Sequence, residues 1–180
     1  MKNLNALKKI SFTVIGLLSF VVLVKAQSPE ERIEKMKLII PKPILANNNY
    51  VGAVRTGNLI FLSGKGPRTS SGTYLTGKVG QELKLDDGVA AAKLIALAQL
   101  GELKAMLGEL SKIKRIVKVN GFVNSTADFT GQSAVIDGFS DMMVSIFGEI
   151  GKHARTSVGV PVLPLNMAVE IEMIVEVVPE

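Results

Sequence analysis

Cysteine and tryptophan are absent from all 180 residues, aromatic residues make up 5%, and the one histidine is His153. Without cysteine there is no disulfide framework, no thiolate nucleophile, no cysteine-ligated metal and no cysteine-linked lipid anchor. A solitary histidine argues against a Ser-His-Asp triad, and its place beside Lys152 after a helix end suits a residue that complements that helix's C-terminus. The glycine-rich piece Gly64-Lys65-Gly66-Pro67 lacks the strand-to-helix context of a phosphate loop, so nucleotide binding is set aside. A basic face is lacking as well. The formal charge is +5, but Lys2, Lys8, Lys9 and Lys25 all fall within the first 26 residues, where there is no acid. Of 21 basic residues 17 are then left against 16 acidic ones, which excludes the massed positive footprint of a nucleic-acid binder.

What is present is apolar: 47% of the chain, enough for one domain with a sizeable core. The first 26 residues join a lysine-containing start to an apolar run over residues 10–24 and a small-residue site at Val24-Lys25-Ala26. That run is shorter than the roughly 20 residues of a spanning helix, so a cleaved export signal is expected, with a periplasmic or secreted product and no stable membrane span after processing. Residues 27–45 are expected to form an N-terminal helix and linker, and residues 46–180 the folded domain. Ser28-Pro29-Glu30-Glu31 supplies an N-cap, a proline in the first turn and a glutamate at the third position, ahead of Ile33, Met36 and Ile39 at helical spacing.

The domain alternates short strands with two long helices. Strands are expected over residues 50–54 and 59–62 around a turn at Gly57-Asn58, with a short third strand over 73–76. Asp86 and Asp87 open a helix carrying Val89, Ala92, Ala96, Leu100, Leu103 and Leu107 at intervals of three and four, and Gly108 stops it. A strand over 113–123 follows, then a helix with Val135, Phe139, Met142, Ile146 and Ile150 on one face, ended by Gly151. Two last strands flank a proline-rich turn through Pro161 to Asn166. If these pair as a hairpin, Arg155 lies opposite Glu170 and a cation shares a patch with a carboxylate. The order β-β-β-α-β-α-β-β gives an α+β domain: a mixed sheet with two helices packed on one face.

Two stretches carry a resemblance. Ala154-Arg155-Thr156-Ser157-Val158, followed fifteen residues on by Val169-Glu170-Ile171-Glu172, resembles the C-terminal signature of the Rid (YjgF-like) family of imine and enamine deaminases, once called L-PSP endoribonucleases. Upstream, Tyr50 and then Gly57-Asn58-Leu59-Ile60-Phe61-Leu62-Ser63-Gly64 is similar to that family's first hairpin. The resemblance implies a chorismate-mutase-like fold that trimerises by sheet packing, with sites at subunit clefts. It places Arg155 on the family's substrate-binding arginine and Glu170 on the glutamate that holds the catalytic water. Tyr50 would be an aromatic wall reaching a neighbouring subunit, with Ser63 and Ser157 as further contacts. Neither metal nor organic cofactor is called for.

On composition alone Arg155, Glu170 and Glu172 look like ordinary residues of half-solvated strands, Tyr50 like a strand residue at a sheet edge, and the two serines like satisfiers of backbone groups. Departures from the family are Ser157 where many members have cysteine, Ser133 for asparagine, Lys65 for glutamine, His153 for proline and Asn47-Asn48-Asn49 before Tyr50. The function implied is hydrolytic deamination of small 2-imino or enamino acids to 2-oxo acids and ammonia. The alternative is a trimer that binds small carboxylates without turnover; a ribonuclease ranks behind both.

Overall fold

Alternation along the last strand sets the layers. In β5 (Val169–Val177), Val169, Ile171, Met173, Val175 and Val177 are buried, whereas Glu170, Glu172, Ile174 and Glu176 are half-exposed. Side chains of successive strand residues point to opposite faces, so this strand has one covered face and one open one. The covered face meets two helices, α2 (Leu85–Leu107) and α3 (Gln132–Phe147), and Ile60, Ile95, Leu100, Leu103, Phe139, Met143 and Ile171 share the core between them. The computed structural model describes residues 27–44 and 49–179. The expected export signal at 1–26, and Asn47 and Asn48 of the loop before Tyr50, lie outside the described residues. Among the described residues no helix is long and apolar enough to cross a membrane.

The chain enters through α1 (Pro29–Lys35), where Ser28 and Glu31 form the reciprocal cap: Ser28 Oγ accepts from Glu31 N at 3.2 Å and Glu31 Oε2 from Ser28 N at 2.9 Å. This helix lies on α3 and is tied to the body by Glu30, whose Oε1 accepts from Leu110 N at 2.6 Å. β1 (Ala53–Thr56) and β2 (Leu59–Lys65) form the hairpin at Gly57-Asn58. Tyr50 precedes β1 rather than standing in it, and residues 73–76 make only isolated bridges, Tyr74 with Arg68 and Thr76 with Met167, not a third strand. α2 starts at Leu85, its Lys84 cap N–H bonded to Asp87 Oδ2 at 2.8 Å, and ends at Gly108. α3 ends one turn earlier than Gly151 implies, at Gly148, and a 3-10 turn fills the difference.

The sheet order is β1-β2-β5-β3-β4, with β3 (Ile113–Asn124) between the last two strands. β4 (Ala154–Val160) runs parallel to β3 and β5 antiparallel to it. The expected hairpin of the two last strands is therefore not formed. Residues 161–168 contain Pro161 and Pro164, which cannot donate to a ladder, and place Leu165 and Asn166 at φ of 54° and 55°. They carry the chain across the end of β3 instead, held where Asn124 Nδ2 donates to Asn166 Oδ1 at 3.0 Å and Asn124 N to Ala168 O at 3.0 Å.

Candidate functional site

Arg155 pairs in register with Val119, a core residue, and so shares the helix-covered face. Glu170 pairs with Phe122 on the open face. Within one chain the two side chains stand on opposite sides of the sheet, and the single patch expected from the hairpin does not exist. The strand order is the reason: inserting β3 replaces the mirror register of a hairpin by two independent registers.

The arginine lies on the edge strand, where α3 flanks it. Nη1 donates to Asp137 Oδ1 at 2.7 Å and to Ser140 Oγ at 3.0 Å, while the Arg155 side chain remains 24% exposed and that of Asp137 54%. Ser140 Oγ is also 3.0 Å from His153 Nε2, and His153 Nδ1 lies 2.7 Å from Gly151 O. A consistent chain of donors runs from Arg155 to Ser140, from Ser140 to His153 Nε2, and from His153 Nδ1–H to the Gly151 carbonyl. It requires a neutral ring. Burial, with the Arg155 charge adding to it, depresses the His153 pKa against the opposing pull of the Gly151 carbonyl. His153 thus fixes the strand after α3 and its neighbour Ser140.

Glu170 is prepared differently. Among the described residues its carboxylate accepts no hydrogen bond from a protein donor, and burial, then the Glu172 charge, raises its pKa. Glu172 itself is held by Asn120 Nδ2 at 2.9 Å. Room for Glu170 comes from a bulge in β2: Leu62 pairs with Met173 but Lys65 with Ile171, so Ser63-Gly64 contributes one residue too many. Gly64 faces the carboxylate, and a Cβ there would collide with Glu170 Oε1. The bulged carbonyls are met from the helix side by Gln99, fully buried, whose Nε2 donates to Ser63 O at 3.1 Å and Ile171 O at 2.8 Å.

The remaining expected contacts scatter. Tyr50 is 58% exposed. Ser63 Oγ donates to Val51 O at 2.7 Å, which binds the segment before β1 rather than leaving the hydroxyl free. Ser157 lies on the Arg155 side of β4, its Oγ buried and, among the described residues, without a partner. Lys65 is engaged by Glu102 at 2.9 Å. Asp137 and Ser140 were not singled out from the sequence, where a polar pair at i and i+3 on α3 was the available signal; Gly64 stood in the first-hairpin motif without its role beside Glu170. Among the described residues no group of three His, Asp or Glu is placed to hold a metal.

The mixed sheet with helices packed on one side is a YjgF/chorismate-mutase-like α+β fold. The chain belongs to the YjgF (Rid) family: residues 30–177 match the family described as "YjgF/chorismate_mutase-like, putative endoribonuclease". Protein TCP17 of Trypanosoma cruzi is 41% identical over 80% of this chain and 91% of its own length. The 2-iminobutanoate/2-iminopropanoate deaminase of Dermatophagoides farinae is 32% identical over 76% of this chain and 90% of its own. Of solved structures, Atu1372 of Agrobacterium tumefaciens, of unknown function, superposes with TM-score 0.76 at 40% identity, covering 83% of this chain and 91% of that one. A Shewanella oneidensis protein with the same endoribonuclease description superposes at 0.80 with 32% identity, covering 84% and 100%.

Proposed function

We propose that this protein hydrolyses small 2-imino or enamino acids to 2-oxo acids and ammonia, in clefts between copies that bring the Arg155 edge of one chain to the Glu170 face of the next. The observation that carries the reading is Glu170: a half-buried carboxylate with raised pKa, given space by Gly64 and tied to no protein donor among the described residues. A carboxylate whose pKa moves toward the working pH is a better base for water. Family membership and the likeness to a chain named as an imine deaminase support the same chemistry.

In this mechanism the Arg155 guanidinium binds the substrate carboxylate through two parallel N–H···O bonds. Glu170 takes a proton from water as the oxygen bonds to the carbon of the protonated imine, giving a neutral carbinolamine. The protonated Glu170 then returns that proton to nitrogen, the C–N bond breaks and ammonia leaves, while the carbinolamine hydroxyl gives its proton back to the Glu170 carboxylate as its oxygen becomes the 2-oxo group. The released ammonia takes that proton and leaves Glu170 ionised for the next turnover. Positioned base catalysis contributes about a hundred- to ten-thousandfold.

The test is ammonia release from 2-iminopropanoate generated in situ. Glu170→Gln should lose at least about a hundredfold of kcat/KM, and Arg155→Gln should raise KM. Equal rates for wild type and Glu170→Gln reject the mechanism. Binding of 2-oxobutanoate by wild type without ammonia release identifies instead a carboxylate-binding protein.

A further inference from the structure

A second polar site lies at the other end of β4. There a cleft of about 550 Å³ opens between the end of that strand and the first turn of α3, lined among others by Lys78, Ser125, Gln132, Gly159 and Pro161. Neither Arg155 nor Glu170 borders it. Gly159 is four residues beyond Arg155, roughly 13 Å along the strand.

The lining is rich in donors. Lys78 Nζ donates to two neutral oxygens, Asn124 Oδ1 at 2.8 Å and the Pro161 carbonyl, and among the described residues it has no acidic partner. Glu82, the nearest acid in sequence, is occupied by the Lys78 backbone N–H at 2.8 Å and the Gln81 amide at 3.4 Å. α3 begins beside the cleft with Gly131 as its cap, no side-chain cap bond and no acid in its first turn, so its first N–H groups and dipole are uncompensated. Ser125 supplies the independent sign of a missing ligand. It is 6% exposed, borders the cleft, and among the described residues its Oγ has no partner, a costly state for a buried hydroxyl.

Gly159 lets these groups approach the strand. A Cβ at that position would stand 2.7 Å from both Ser125 Oγ and Gln132 Nε2, so hydroxyl and amide converge on one backbone position that only glycine leaves uncrowded. Because the loop before α2 is tied to β3 by Val79 N to Asn124 O at 2.8 Å and Thr126 N to Val79 O at 3.0 Å, the cleft is formed before any ligand arrives.

We infer that this cleft binds a small oxyanion, with Lys78 supplying the charge and Ser125, Gln132 and the start of α3 supplying hydrogen bonds. The chemistry is shared by inorganic phosphate and a free carboxylate, and separate titrations tell them apart. The full-length protein is titrated with inorganic phosphate and, in a second arm, with 2-oxobutanoate, while the Ser125, Gln132 and Gly159 amide resonances are followed.

At least one anion should give saturable shifts at those amides. Lys78→Met should weaken it about tenfold, and Ser125→Ala, which removes only an unpartnered oxygen, about threefold or more. Arg155→Gln should leave it unchanged, and Lys78→Met should retain deaminase turnover, so this inference and the proposed function fail separately. No saturation at about 50 mM of either anion, far above a millimolar affinity, overturns the inference. So does binding that survives both cleft substitutions, or that disappears with Arg155→Gln.

Discussion

In the isolated chain Asp137 occupies the guanidinium that a substrate carboxylate would need. An ion pair with a half-exposed partner is worth about 0–1 kcal/mol, so it competes weakly. Asp137→Asn should tighten 2-oxobutanoate binding about two- to fivefold by calorimetry, the factor that such a pair corresponds to; unchanged affinity would show that Arg155 is not the carboxylate's ligand. Glu170 carries the opposite kind of cost. Its raised pKa means that the fold favours the protonated acid, so the associated stability is present below the usual glutamate pKa of 4.5 and is lost as pH rises through the raised value. Near neutral pH Glu170→Gln should therefore raise Tm, by about 2–4 °C for each kcal/mol recovered, in the same variant for which the proposed mechanism expects the loss of kcat/KM. A Tm that falls would place the carboxylate among the stabilising groups. For His153 the sign reverses: the depressed pKa of a buried neutral ring gives stability present above the ordinary value of 6.5 and lost as pH falls below it toward the folded-state value. Denaturation midpoints should decline over that window in wild type and flatten in His153→Gln, and identical pH profiles for the two would refute this assignment.

The bulge in β2 and the helix behind it act as one device. Gln99 meets two carbonyls that the irregular ladder leaves, one on β2 and one on β5. Gln99→Leu should cost about 1–3 kcal/mol in urea unfolding through their loss, and should lower deaminase activity by letting Ser63-Gly64 shift against Glu170; full activity with full stability would separate the bulge from the site. The helix stripes of α2 and α3, the cap at Ser28 and the first hairpin were legible in the sequence because each is decided by neighbours within a turn or two. Strand order was not. Nothing local in residues 154–177 reveals that β3 lies between the two last strands, and the face on which Arg155 emerges depends on that long-range choice. Gln99 was equally hidden: on α2 it occupies a core position with Ala96 and Leu103, and its amide has meaning only beside a bulge formed from another segment.

The open face of the sheet bears on assembly. Val54 pairs with Phe61, Phe61 with Ile174, and Phe122 with both Glu170 and Val158, so these side chains share the face opposite the helices. Val54, Phe61 and Val158 are 55%, 43% and 39% exposed, an apolar surface of the kind that marks an interface. If copies pack through it, Glu170 is desolvated further while the Arg155 edge of a neighbour is carried toward it, and two groups that one chain holds apart meet across the contact. Phe61→Lys tests this with little effect on the core, since the side chain is already partly exposed. Sedimentation should show that wild type is a homotrimer and the variant a monomer that retains its far-UV spectrum. Ammonia release should fall with assembly, and should recover with it at high protein concentration. A variant of wild-type mass and full turnover would leave the open face without a role in catalysis. A monomeric variant with full turnover would place the entire site in one chain, where Arg155 and Glu170 lie on opposite faces, and would remove one of them from the reaction.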